Sequence, residues 1–286
     1  MVFDLLICLL FKISEIKMLS IIVSWRDRPE IKRSIESMIE VVSALNGELI
    51  LVNYGGDVDY LLSAKKGNKN VKIVNYPTDA YFHKTKAQNL GAYFASNEVL
   101  FFCDCDIILE ENYLRNIVKK LSGDKKYFAT LLGVKETIPN SREAKNVIEF
   151  GYELHIKVAN GNTLSIIDNE ENAISGTRQA PGLLLVSKEN FVKINGYNGR
   201  LNGWGWEDQD MISRLTLGLG LIREKEGVAL HISHNNESRT KHYPIQDQWE
   251  SRDKMFRQAL SYYDENDFKG TFDIDTKNLE NIINIC

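Results

Sequence analysis

The chain has 286 residues, is 43% hydrophobic and 26% charged, and carries a formal net charge of -4. That is enough apolar material for a full core near the upper size of one domain, without the basic surplus of a nucleic-acid binder, so nucleic acid is excluded as a partner. The four cysteines, Cys8, Cys103, Cys105 and Cys286, have neither zinc-ribbon nor disulfide-framework spacing, so the expected compartment is a reducing cytoplasm.

The chain opens on Leu5-Leu6-Ile7-Cys8-Leu9-Leu10-Phe11, an apolar run too short to span a bilayer and without a basic flank before it. Residues 1–18 are therefore read as an N-terminal extension, a helix packed on the domain. A peripheral contact with the inner face of the membrane is the alternative.

From Leu19 the pattern alternates between strand and helix. Residues 19–25 form an apolar run, Pro29 opens a helix with apolar positions at Ile31, Ile35 and Val42, and Gly47 is expected to stop it. Strands are predicted at 49–53 and 71–75, with a loop between them, then a helix at 84–95 and a strand at 99–103. Strands separated by helices imply a mostly parallel, doubly wound sheet of the α/β class. Beyond Asp106 a helix is expected at 112–121 and one strand at 127–134. Residues 138–178 are polar enough to be a flexible insertion on the acceptor side. The apolar pattern resumes at 182–186, followed by helices from 188 and at 211–217. A tail helix over 245–263 is expected to dock through Trp249, Met255 and Phe256, with the last acidic stretch loosely held. The core domain is placed at 19–240 and the helical tail at 241–286.

Three short stretches carry chemistry. Gly203-Trp204-Gly205-Trp206-Glu207-Asp208-Gln209-Asp210 crowds two indoles and three carboxylates into one turn loosened by two glycines, which is costly unless it forms a site. Asp104-Cys105-Asp106 ends an apolar strand, where open α/β sheets bind ligands. His231 and His234 follow another apolar segment. Together they point to a metal site beside a carboxylate base.

With Ser24-Trp25-Arg26-Asp27-Arg28 after the first strand and Phe82-His83-Lys84-Thr85-Lys86-Ala87-Gln88-Asn89 opening a helix, these stretches resemble the GT-A nucleotide-sugar glycosyltransferases. The likeness is to the β-1,4-galactosyltransferase and bacterial chondroitin-polymerase type, and it runs from about residue 19 to 234. It implies a Rossmann-like GT-A sheet with an acceptor-side insertion, a UDP-sugar donor, and Mn²⁺ or Mg²⁺ bound by Asp106, His231 and His234. A methionine is typical of galactosyltransferases at the position of His231. The resemblance assigns Ser24, Arg26, Arg28, Asn53, Lys86, Asn89 and Asp104 to the nucleotide, since guanidinium forks match phosphate oxygens. It makes Asp208 the catalytic base and has Glu207 hold a sugar hydroxyl. Trp204 and Trp206 are placed at the acceptor, although Trp206 stands where these enzymes usually have glycine.

The implied reaction is inverting transfer of a hexose or N-acetylhexosamine to a saccharide, lipid-linked or peptide acceptor. The alternatives are a retaining transferase of the polypeptide GalNAc-transferase type and a silent sugar-binding module. For Asp210 only a helix-dipole role is expected, so that Asp210→Asn would be mild.

Overall fold

A computed structural model of the chain describes residues 18–139, 146–277, 279 and 282–285. The apolar run at residues 5–11, Cys8 and Cys286 lie outside them. The elements in order are β1 (Leu19–Trp25), α1 (Ile31–Ala44), β2 (Glu48–Tyr54), α2 (Val58–Lys65), β3 (Val71–Tyr76), α3 (Lys84–Phe94), β4 (Val99–Cys103) and β5 (Ile107–Ile108). There follow α4 (Glu111–Gly123), β6 (Tyr127–Thr130), β7 (Gly133–Glu136), β8 (Glu149–Lys157), β9 (Thr163–Asn172), β10 (Thr177–Arg178) and β11 (Leu184–Ser187). The chain ends with α5 (Lys188–Lys193), α6 (Glu207–Leu217), β12 (Ile222–Lys225), β13 (Val228–His231), α7 (Asn236–Thr240), α8 (Gln248–Asp264), α9 (Phe272–Asp275) and β14 (Ile283–Ile285).

Every residue of β1, β2 and β4 is buried, because these strands are covered on both faces. Ile21 and Val23 point into a core shared with Ile35 of α1, Leu61 of α2 and Leu114 of α4. Ile22, on the opposite face, packs in a second core with Leu90 of α3, Phe191 of α5, Ile212 of α6 and Met255 of α8. The large sheet runs β12-β6-β11-β4-β1-β2-β3-β14. Its centre, β4-β1-β2-β3, is parallel, and β11 is antiparallel to both β4 and β6. From β1 the chain builds outward to β2 and β3, then returns to place β4 on the other side, so a crevice opens at the C-terminal ends of β1 and β4. A second sheet, β5-β13-β7-β10-β9-β8, contributes Ile107, Asp168, Arg178 and His231 to the lining of that crevice.

Several expectations need correction. Residues 127–134 are two strands in different sheets, β6 and β7, because the chain leaves the large sheet after Thr130. The polar segment 138–178 contains a paired hairpin, β8 with β9, whose Leu164, Ile166 and Asp168 are buried while Thr163, Ser165 and Ile167 are exposed. The loop expected after β2 leads into α2, capped by the Asp57 carboxylate on the backbone amides of Asp59 and Tyr60. Asn46, at φ 49°, makes the turn after α1, one residue before Gly47. Met255 and Phe256 dock α8 as expected, joined by Ala259 and Tyr263, but Trp249 is 62% exposed and takes no part. The segment after α8 is held: the Gly270 amide bonds Ile194 O at 2.9 Å and Thr271 N bonds Tyr197 O at 2.9 Å. Among the described residues no helix is long and apolar enough to cross a membrane.

Asp210 does more than complement a helix dipole. Its Oδ2 accepts from Arg214 Nε at 2.7 Å and its Oδ1 from the Tyr263 hydroxyl at 2.8 Å, while Arg214 Nη1 donates to Gly196 O at 2.8 Å. Both side chains are buried, joining α6 to α8 and to the turn ahead of the acidic motif. Asn in place of Asp210 would leave the guanidinium without its counter-charge. We therefore expect Asp210→Asn to cost about 3–5 kcal/mol. In thermal unfolding, Tm should fall on the order of 10 °C, and a shift within experimental error would refute this account of the pair.

Candidate active site

A cavity of about 450 Å³ occupies the crevice, with Ser24, Arg26, Arg28, Lys84, Asp104 and Asp106 on the strand-end side. Phe150, Asp168, Trp204, Gln209, Trp249 and Arg252 lie on the opposite wall. Phe82 and Tyr243 meet edge to face at 5.4 Å, and Phe82 N bonds His242 O at 2.8 Å, so the segment after α7 closes over the start of α3.

Asp106, His231 and His234 come together because β5 pairs antiparallel with β13, setting Ile107 opposite His231, and Ile232 N bonds Asp106 O at 2.8 Å. Their ligand atoms lie within 4.8 Å of one another. His231 Nδ1 is 2.8 Å from the Glu136 carboxylate and His234 Nδ1 is 2.8 Å from the Asn235 carbonyl. Both partners are acceptors, so each Nδ1 carries a hydrogen and each Nε2 faces Asp106 Oδ2, at 3.5 and 3.1 Å. Two imidazole nitrogens and one carboxylate directed at a common point form a donor set that fits a divalent transition cation. Burial alone would raise the Asp106 carboxyl. The two imidazoles and the Arg28 guanidinium, 2.9 Å away, instead hold it well below the usual range.

The second cluster centres on a residue whose importance the sequence did not reveal. Lys84 Nζ lies 2.8 Å from Asp208 Oδ2, 3.2 Å from Asp104 Oδ1 and 3.4 Å from Glu207 Oε1. Its burial works against its charge, but the three carboxylates outweigh this and raise its pKa well above the ordinary lysine value. Burial pushes the Asp208 carboxyl up to about 7, with Lys84 pulling the other way and Glu207 and Asp104 adding repulsion. Asp208 Oδ1 is buried and has no hydrogen-bond partner. The backbone at Gly182 closes over this pair so tightly that a Cβ would sit 2.6 Å from Asp208 Oδ2 and 3.4 Å from Asp104 Oδ2. Gly205, at φ 122°, turns its N–H toward Glu207 Oε2 at 2.9 Å, so Glu207 is fixed by its own turn as well as by Lys84.

The residues expected at the nucleotide separate into two groups. Ser24, Arg26, Arg28 and Asp104 line the cavity. Arg26 donates to Ala80 O, and Arg28 bridges Glu30 and Asp106. Asn53, Lys86 and Asn89 do not line it. Asn53 is fully buried and shapes its own turn, bonding Gly56 through both ends of its amide and Asn75 through Nδ2. Lys86 points at the Tyr76 hydroxyl at 3.3 Å. Asn89 bonds the Tyr197 backbone and Asp275 Oδ2, clamping the C-terminal segment. Two positions along a helix turn a side chain to the far side of the axis, so Lys84 and Lys86 cannot both face the crevice.

Trp204 lines the cavity, whereas Trp206 is 1% exposed and packs edge to face on Phe256 at 4.7 Å, so its indole belongs to the core. The hairpin and α8 add residues that were not foreseen. Asp168 accepts from Gln209 Nε2 at 2.7 Å, from the Tyr152 hydroxyl at 2.7 Å and from Arg252. The period-two burial of β9 is the signal that could have placed Asp168 indoors.

Comparison with known proteins bears on this geometry. The family described as Glycosyl transferase family 2 matches residues 20–174, more than half of the chain, and that described as N-terminal domain of galactosyltransferase matches residues 165–235. Among solved structures, GalNAc-T7 with UDP, GalNAc and Mn²⁺ superposes with a TM-score of 0.59 at 14% identity, over 93% of this chain. The present chain spans 57% of that one's length. The mannosyltransferase PcManGT from Pyrobaculum calidifontis, in complex with GDP-Man and Mn²⁺, superposes with a TM-score of 0.56 at 14% identity, covering 91% of this chain and 69% of its own. At this identity the likeness is one of fold, which is GT-A. On the extent of the first match, the chain belongs to glycosyl transferase family 2.

Proposed function

We propose that this chain transfers a hexose or N-acetylhexosamine from a UDP-sugar to an acceptor hydroxyl with inversion at the anomeric carbon. The observation that carries this reading is the Asp208 carboxyl, with one oxygen held by Lys84, the other without a partner, and a pKa displaced to about 7. A general base works best when its pKa lies near the operating pH. Asp106, His231 and His234 would hold a divalent cation, and both structural neighbours are complexes with Mn²⁺. When bound, such a cation neutralises charge on a departing diphosphate.

The chain's own groups divide the remaining work. Arg26 and Arg28 put positive charge on the donor side. Lys84 keeps Asp104, Glu207 and Asp208 together without neutralising them by protonation. On the opposite wall, Trp204 and Trp249 offer apolar ring faces for an acceptor sugar. In the displacement the acceptor oxygen bonds to the anomeric carbon, the bond from that carbon to the diphosphate oxygen breaks, and the acceptor proton passes to Asp208. Saccharide, lipid-linked and peptide acceptors all meet these requirements.

The metal reading predicts that EDTA abolishes UDP release and that Asp106→Ala or His234→Ala lowers Mn²⁺-dependent turnover by roughly two orders of magnitude or more. His231→Met should be milder. Full turnover in EDTA would sink it.

For the base, Asp208→Asn should reduce kcat by about 10²–10⁴-fold while UDP affinity stays near wild type. Because the deprotonated form is the active one, wild-type kcat/KM should rise about tenfold per pH unit below about pH 7 and level off above it. Ordinary turnover by Asp208→Asn, or a product with retained anomeric configuration, would transfer the chain to the retaining class.

The nucleotide reading is checked by thermal shift. UDP with Mn²⁺ should raise Tm by mass action, and ADP or GDP should raise it less. Equal shifts with all three would contradict selection for uracil.

A further inference from the structure

Glu136 lies behind the metal ligands and has no part in the displacement. β7 and β13 run parallel with Glu136 in register opposite His231, so the two side chains leave the sheet on the same face. Glu136 is 8% exposed and both its oxygens are engaged. Oε2 accepts from His231 Nδ1 at 2.8 Å and from Ser233 Oγ at 2.7 Å, and Oε1 accepts from Arg178 Nε at 2.8 Å. Ser233 is itself pinned to the residues after Glu136, through Thr137 Oγ1 at 3.0 Å and Ile138 N at 3.0 Å. The turn that carries His231 to His234 is thus stapled to the end of β7.

Burying a carboxylate and a guanidinium costs more than an apolar pair of the same volume would, so stability alone does not account for this arrangement. An imidazole ligand, by contrast, needs its second nitrogen held, and a carboxylate in that position fixes the tautomer, aims the other nitrogen and strengthens it as a donor. A thioether at position 231 would need no such partner. Imidazole nitrogens bind first-row transition cations, Mn²⁺ the weakest among them, better than Mg²⁺, which prefers oxygen and keeps its waters.

We infer that Glu136 is a positioning residue that holds His231 Nε2 on the metal point shared with Asp106 and His234, and so makes the site select Mn²⁺ over Mg²⁺. This rests on the reading of those three residues as the metal site. The test is Mn²⁺ titration of the metal-free full-length chain, followed by the electron paramagnetic resonance signal of free Mn²⁺, with Mg²⁺ as competitor. Glu136→Gln should weaken Mn²⁺ binding by about 10–100-fold, with a smaller change for Mg²⁺, so that the selectivity ratio falls toward that of His231→Met. Adding Glu136→Gln to His231→Met should then change neither affinity further. A purely structural role would lower Tm and leave the ratio unchanged, as Arg178→Met, which spares the contact with His231, is expected to do. If Glu136→Gln does not fold, Glu136→Asp, which keeps the charge but shortens the reach, should move the ratio in the same direction. An unchanged ratio in the folded variant, or an equal loss with and without the His231 imidazole, overturns the inference. Failure of the wild-type chain to bind Mn²⁺ would overturn the metal reading with it, whereas wild-type binding with an indifferent Glu136 overturns only the inference.

Discussion

The charge density at the ends of β1 and β4 is the constraint on which this structure depends. Asp104, Asp106, Glu207 and Asp208 meet in a half-enclosed cavity, where an uncompensated carboxylate would be prohibitive. Two cations answer them: Arg28 on Asp106 and Lys84 among the other three. Each side of the crevice therefore remains charged without unfolding. Asp208 alone is left with a buried oxygen lacking a partner and a pKa moved toward neutrality.

That compensation is delivered by elements far apart in the chain. Lys84 begins α3, Asp104 follows β4 and Asp208 sits in the first turn of α6. The close backbone approach at Gly182 keeps bulk away from the Asp104–Asp208 pair. The Asp106–His231–His234 cluster depends on the second sheet instead. β5 and β13 fix Asp106 against His231, while Glu136 on β7 sets the imidazole's orientation. The two clusters touch through the single stretch from Asp104 to Asp106, so the short turn after β4 links the proposed cation site to the proposed base. Membership in glycosyl transferase family 2 sits naturally with this arrangement, since transfer of a sugar from a nucleotide needs charge stabilised at one end of the bond and a proton removed at the other.

The opposite wall has a different origin. The β8–β9 hairpin and α8 meet in the Tyr152–Asp168–Arg252–Gln209 network, which holds Gln209 beside Asp208. A segment rich in polar residues thus becomes a structured part of the cavity. Its apolar positions, though sparse, alternate in step with the strand, and Leu164 and Ile166 bury on the same face as Asp168.

The amino-acid sequence by itself determined the alternating strands and helices around β1, β2, β3 and β4, because fully buried strands need uninterrupted apolar runs and α1 needs apolar residues at helical spacing. It also marked Asp106, His231, His234 and Asp208 as candidates, since these carboxylates and imidazoles recur at the ends of apolar segments and match the motifs of the resembled glycosyltransferases. Only the tertiary structure decided which neighbouring polar residues share that site. Lys84 and Lys86, Trp204 and Trp206, Asn53 and Ser24 are alike in composition and spacing, yet one of each pair faces the cavity and the other packs elsewhere. Facing depends on the helix phase, the strand pleat and the path of a glycine-bearing turn. The Asp210–Arg214–Tyr263 cluster and the Glu136–His231 pair were equally hidden from local pattern, because each joins elements whose adjacency is set by sheet order and helix packing rather than by separation along the chain.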